Sequence, residues 1–152
     1  MIIDTSDISK AKNLLKKEGE IKIVKAKDEK FNRKMLEYGK FNILLSPEID
    51  TGKTSLRKVD SGLNHVLCRL ASKNNISIGI DLQQVKSLEK KQKAVVLEKI
   101  MQNIKLCRKY KVNLAICNVR DKLNANAFLL SLGASTEQVA KALTFYVKFR
   151  KL

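Results

Sequence analysis

The sequence predicts an α/β protein built on a largely parallel sheet or barrel. Short β-like runs alternate with amphipathic helical stretches along the whole chain. Two of those runs, "ISIGIDL" (76–82) and "VNLAICNV" (112–119), are almost free of charge, as strands covered on both faces are. Three β-then-α units fit into the first 60 residues, a density that suits parallel strands joined by helical crossovers.

Each element has a local reason. "MIID" (1–4) reads as a first strand. Ser6 or Asp7 is placed to cap a helix over "ISKAKNLLKK", whose Ile8, Ala11, Leu14 and Leu15 share a face, and Gly19 ends it. "EIKIVKA" (20–26) alternates as a strand does. Asp28 opens a helix that turns Phe31, Met35 and Tyr38 inward and stops at Gly39. "FNILLS" (41–46) is a third strand, and 47–62, with the only proline, is a loop. The helix over 63–75 gathers Leu63, Val66, Leu67, Leu70 and Ala71 on one stripe before the 76–82 strand. Ser87 is expected to cap a long helix reaching about Lys111, with Val96, Leu97, Ile100, Met101, Ile104 and Cys107 as its stripe. After the 112–119 strand come a helix over 124–133 and a second over 136–144. Thr136 is placed at the start of a capping box that lacks its acidic partner. "FYVKFRKL" closes the chain as a last strand or a basic tail. Five strands, or six, fall short of the eight of a full (β/α)₈ barrel, which takes about 250 residues. The sheet is therefore open, or the barrel trimmed.

At 152 residues and 44% apolar, the chain suits one domain, 1–152, with a real core. No stretch approaches the roughly 20 apolar residues of a membrane span, and "MIIDTSDISKAKN" lacks the basic-then-apolar order of an export signal. A cytoplasmic, non-membrane protein is expected. Cys68, Cys107 and Cys117 sit in apolar contexts without metal-ligand spacing, as small buried hydrophobes in a reducing compartment do.

Charge is the strongest global signal. Lys and Arg number 31 against 15 Asp and Glu, a net of +16. The excess is uneven: residues 1–60 carry 14 basic and 10 acidic groups, and residues 61–152 carry 17 and 5. A field of that size seeks a polyanion. With five Phe, three Tyr and no Trp, the chain is poor in base-stacking platforms, which favours folded RNA met through phosphates and shape.

Catalytic motifs are scarce. One histidine, His65, rules out a His-x-His metal motif, and it falls on a helix. Its open roles are a structural histidine, an RNA contact or a catalytic group. Asp4 and Asp81 end strands, where barrels keep catalytic groups; they either bind Mg²⁺ and do acid–base work, or cap helices and pair with lysines. Together with His65 they define the alternative reading, a small metal-dependent barrel phosphoesterase. No G-x-S-x-G elbow is present, and "DTGKTS" (50–55) lacks the upstream glycine of a phosphate loop. Basic residues instead cluster around the strand ends: Arg57 and Lys58, Lys86, Arg120 and Lys122. If the strands are parallel, these form one cationic rim.

"DSGLNHVLCRLASKNNISIGIDL" (60–82) and "IMQNIKLCRKYKVNLAICNVRDKLNANAFLLSLGASTEQVAKAL" (100–143) together resemble ribonuclease P protein component 3. The run Ser61-Gly62-Leu63-Asn64-His65-Val66-Leu67, and its spacing to Asn75 and the strand, carry the resemblance. The resemblance implies a (β/α) barrel, here reduced or incomplete, related to metal-dependent phosphoesterases but without their metal ligands. It also implies a subunit that binds the catalytic RNA, pairs with protein component 2 in a heterotetramer, and helps remove the 5′ leader of precursor tRNA. Chemistry would then belong to the RNA and its Mg²⁺, with no cofactor, metal or catalytic residue on the protein. The expected RNA-binding residues are Arg57, Lys58, Asn64, His65, Lys86, Arg120 and Lys122. The family is longer, so the early barrel looks shortened. It also often carries arginines where this chain has Gln83 and Gln84, and before L-x-x-L-G where it has Asn124 and Asn126.

Overall fold

The computed structural model describes residues 1–19, 21–49 and 59–149, with side chains through residue 144. Among these residues, five strands and seven helices follow one another: β1 (Ile2–Ile3), α1 (Ile8–Leu15), β2 (Ile23–Lys25), α2 (Glu29–Tyr38), β3 (Ile43–Leu45), α3 (His65–Lys73), β4 (Ser77–Asp81), α4 (Leu82–Ser87), α5 (Lys90–Lys109), β5 (Leu114–Cys117), α6 (Lys122–Ser131) and α7 (Thr136–Phe149). The strands pair in sequence order, β1-β2-β3-β4-β5, and every pair is parallel. A doubly wound sheet reverses its strand order at a switch point; this one does not. Each right-handed crossover then returns its helix to the same face, the geometry of a barrel rather than an open sandwich. Among the described residues β1 and β5 remain the sheet's edges, so the fold is a reduced, barrel-like α/β arc. α7 packs closely against β5.

The period-2 alternation of each strand builds two apolar layers. Val24, Leu44, Ile78, Ile80, Leu114 and Ile116 point into the main core, where they meet Leu15, Met35, Leu67, Ile100 and Ile104 of the helices. Ile23, Ile43, Leu45, Ala115 and Cys117 point the other way and form a smaller cluster. On that second face β4 contributes only Ser77, Gly79 and Asp81. Gly79 is required there: a Cβ at this position would lie 2.6 Å from Ile43 Cγ2 and 3.1 Å from Leu45 Cδ1.

Helix starts follow their caps. Asp7, Asp28, Asn64, Asp81 and Asp121 each accept a backbone N–H from the first turn of the helix they open. Gly39 ends α2 with φ +71°, and Asn74 covers it, donating to Leu36 O at 2.7 Å.

Several expectations need correction. α1 ends at Leu15, well before Gly19, with Lys16 as its C-cap. Ser87 does not open the long helix; it ends a separate short one, and α5 begins after Glu89 without a side-chain cap bond. Asp81 is a strong cap, so the chain turns helical as soon as β4 ends. The capping box of α7 lies one residue earlier than read: Ser135 N–H donates to Gln138 Oε1 at 3.0 Å, and Gln138 N–H to Ser135 Oγ at 3.2 Å. The chain from 145 to 149 is neither strand nor tail, because α7 continues through Phe149. Val66 is not in the core stripe but 36% exposed. All three cysteines are buried, as their contexts suggested.

Candidate nucleic-acid interface

Parallel strands bring their C-terminal ends to one side, and the carboxylates of that side become neighbours. Asp4, just past β1, accepts from Lys27 Nζ at 2.5 Å and from Lys25 Nζ at 3.3 Å. The hydrogen bond from Lys27 holds the Asp4 carboxyl below its usual range, with Lys25 adding to the effect. Asp81 caps α4 through Gln84 N at 3.0 Å and accepts from Asn118 Nδ2 at 2.8 Å. Both aspartates line a hollow of about 550 Å³ with Lys25, Gln83 and Gln84. Their carboxylates are thus engaged in capping and ion pairing, one of the two roles left open by the sequence. His65 lies elsewhere, in a hollow of about 510 Å³ running from the start of α2 past the start of α3 to Gln102, Leu106 and Tyr110 of α5. The three groups of the phosphoesterase reading therefore do not share a pocket. Among the described residues no three His, Cys, Asp or Glu side chains come close enough to hold a metal ion.

One strand-end group was missed. Glu48, three residues after β3 and two after Ser46, is 1% exposed, and neither of its carboxyl oxygens makes a hydrogen bond of normal geometry. Burial pushes its pKa up to about 7, and the Asp81 charge adds to that while Lys99 opposes it. Ser46 is also strained: its φ is +55° and its hydroxyl is buried without a partner. The only signal in the sequence was position, directly after the single proline.

The expected RNA contacts divide. Arg57 and Lys58 lie outside the described residues. Lys86, Arg120 and Lys122 are exposed around the strand ends, Lys86 on the last turn of α4 and Lys122 on the first turn of α6. Asn64 serves the scaffold: its Oδ1 accepts from Leu67 N at 3.0 Å, and its Nδ2 donates to Glu29 Oε1 at 2.9 Å. His65 is exposed at the first position of α3. The thiols are internal. Cys68 and Cys107 hydrogen-bond across the α3–α5 layer, and burial pushes the Cys117 thiol up to about 12.

No protein-family model matches the chain. The resemblance to ribonuclease P protein component 3 is borne out by curated proteins of that name. The chain is 36% identical to that of Methanococcus vannielii over 91 residues, 60% of this chain and 36% of the relative. With that of Methanothermobacter thermautotrophicus it shares 33% over 107 residues, 70% and 41% of the two chains. With that of Methanosarcina mazei it shares 29% over 132 residues, 82% and 52%. The chain thus spans between a third and about half of these relatives' lengths. The same fold occurs in a chain of archaeal ribonuclease P solved with mature tRNA by cryo-electron microscopy. The TM-score is 0.78 at 23% identity, over 99% of this chain and 65% of that one. No helix among the described residues is long and apolar enough to cross a membrane.

Proposed function

We propose that this chain is an RNA-binding subunit of a ribonuclease P particle, one that stabilises the catalytic RNA while that RNA removes the 5′ leader of precursor tRNA. The observation that carries the reading is its similarity to ribonuclease P protein component 3 across most of its length, on a chain with a net charge of +16. A cationic protein neutralises phosphates where RNA helices crowd, which lowers the Mg²⁺ needed to hold them together. The strand-end carboxylates support a non-catalytic role, because Asp4 and Asp81 are already engaged with lysines, a helix start and Asn118. On this reading the protein carries no catalytic residue, cofactor or metal of its own, and Mg²⁺ sits on the RNA. Its protein partner is ribonuclease P protein component 2, in a heterotetramer. Its compartment is the cytoplasm, which suits three buried free thiols.

Reconstitution tests the reading. The particle's RNA and remaining proteins are assayed for precursor-tRNA cleavage with and without this chain. Faster cleavage on its addition, and no cleavage by the chain alone in Mg²⁺ or Mn²⁺, supports the proposal. An unchanged rate would refute it.

A further inference from the structure

We infer that the outer face formed by α3 and α5, rather than the strand-end rim, is where this protein grips the backbone of double-helical RNA. The inference rests on the proposed RNA-binding role and assigns it a surface. On α3, His65, Arg69 and Lys73 recur every four residues, so they form one exposed stripe. On α5, Lys105 and Lys109 form a second. Packing brings the two stripes together. Cys68 meets Cys107 between the helices, Asn103 Nδ2 donates to Ser61 O at 3.0 Å, and Arg69 reaches Tyr110.

Like charges held this close repel unless something else offsets them. α3 contains no carboxylate; Glu98 of α5 and, at the His65 end, Glu29 and Asp60 are the nearby acids, yet among the described residues none of Arg69, Lys73, Lys105 and Lys109 takes part in an ion pair. The described ion pairs instead use lysines and arginines of β2, α2 and α7 and of the turn after β2. Tyr110 orders two of the four. The Arg69 guanidinium lies 5.7 Å and the Lys109 ammonium 5.6 Å from its ring centroid, which keeps them within about 11 Å of each other. Tyr110 is half-buried and is the aromatic ring that both cations approach. The surface suits the regularly spaced phosphates of a helix rather than a single strand.

The test compares two sets of variants in RNA binding across a salt series. The probe is a 16-base-pair RNA duplex, with a precursor-tRNA transcript alongside. Arg69, Lys73, Lys105 and Lys109 are all changed to Gln in one protein. Lys73→Gln with Lys105→Gln, which touches neither tyrosine contact, is made separately to guard against a folding effect. Rim residues Lys86 and Lys122 are changed to Gln in a third. Four lost phosphate contacts should flatten the slope of log K against log salt by about 3 to 4 and weaken binding at least tenfold, with the double variant falling between. The rim variant should stay within threefold of wild type. On the unmodified protein, the duplex should shield Lys105 and Lys109 from amine acylation while Lys86 and Lys122 stay reactive. Wild-type binding that survives the fourfold change overturns the assignment and leaves the proposed function standing. Absence of RNA binding by the wild-type chain at modest salt overturns both.

Discussion

At the strand ends, positive charge is mixed with negative. Lys25 and Lys27 embrace Asp4, Asp81 and Asp121 cap helices, and Glu48 is buried among them. On the α3–α5 face, Arg69 and Lys109 stand beside an aromatic ring, and the nearby acids Glu29, Asp60 and Glu98 form no ion pair with the cations. In the first arrangement Asp4, Asp81 and Asp121 are engaged internally, while Glu48 and Ser46 are buried without hydrogen-bond partners. The second lacks internal carboxylate partners among the described residues, which is how a surface meant for an external polyanion is built. The two regions also differ in what supports them. The strand ends depend on short segments and backbone at unusual angles, Ser46 and Asn118 among them, whereas the cationic face rides on two packed helices.

The largest expected effect breaks this comparison directly. Reversing charge at Arg69, Lys73, Lys105 and Lys109 to Glu should lower RNA affinity by at least about a hundredfold, measured by filter binding. The same reversal at Lys86 and Lys122 should cost a few-fold. Equal losses would merge the two regions into one field.

A stability effect comes next and sharpens the contrast at the strand ends. Glu48 titrates at about 7 in the folded protein, above the 4.5 of an unhindered glutamate, so folding favours its protonated form. Below pH about 4.5 it costs nothing; the cost grows as pH rises from there and is complete above about 7. Glu48→Gln should therefore raise stability at pH 8 by about 2–3 kcal/mol and give no advantage near pH 4, measured by urea unfolding. A pH-independent difference would place the charge elsewhere.

Gly79→Ala should destabilise by about 1–3 kcal/mol, because the added methyl meets Ile43 and Leu45. RNA affinity of the folded fraction should not change, since Ile43 and Leu45 belong to the smaller apolar cluster, on the opposite sheet face from the core that α3 and α5 cover. Asp81→Ala should cost about 1 kcal/mol through the lost α4 cap and leave reconstituted cleavage intact. Metal-dependent phosphodiester cleavage by the purified chain, abolished by that change, would restore the phosphoesterase reading.

The fold was legible because the signals were local. Alternating runs, charge-free strands and the caps Asp7 and Asp28 are set within a few residues of one another. The errors came where two local signals competed. Ser87 looked like a cap, but Asp81 had already opened a helix six residues earlier. Ser135 and Thr136 are both cap residues, and only Ser135 has glutamine three positions on. The site was less legible, because it depends on which distant residues meet. A rim was inferred from charges near strand ends in the sequence, yet those ends also gather Asp4, Glu48 and Asp81. The four-residue spacing of Arg69 and Lys73, and of Lys105 and Lys109, was present in the sequence. Packing of α3 against α5, and Tyr110 between their cations, turned those spacings into a surface.

The Mg²⁺ dependence of precursor-tRNA cleavage bears most directly on the account's central claim, that this protein supplies positive potential to a catalytic RNA. The particle is reconstituted with the wild-type chain or with the variant carrying glutamine at residues 69, 73, 105 and 109. The wild-type chain should shift the half-maximal Mg²⁺ concentration downward, and the variant should forfeit most of that shift while the plateau rate stays the same. A Mg²⁺ midpoint indifferent to the chain's presence would contradict the claim.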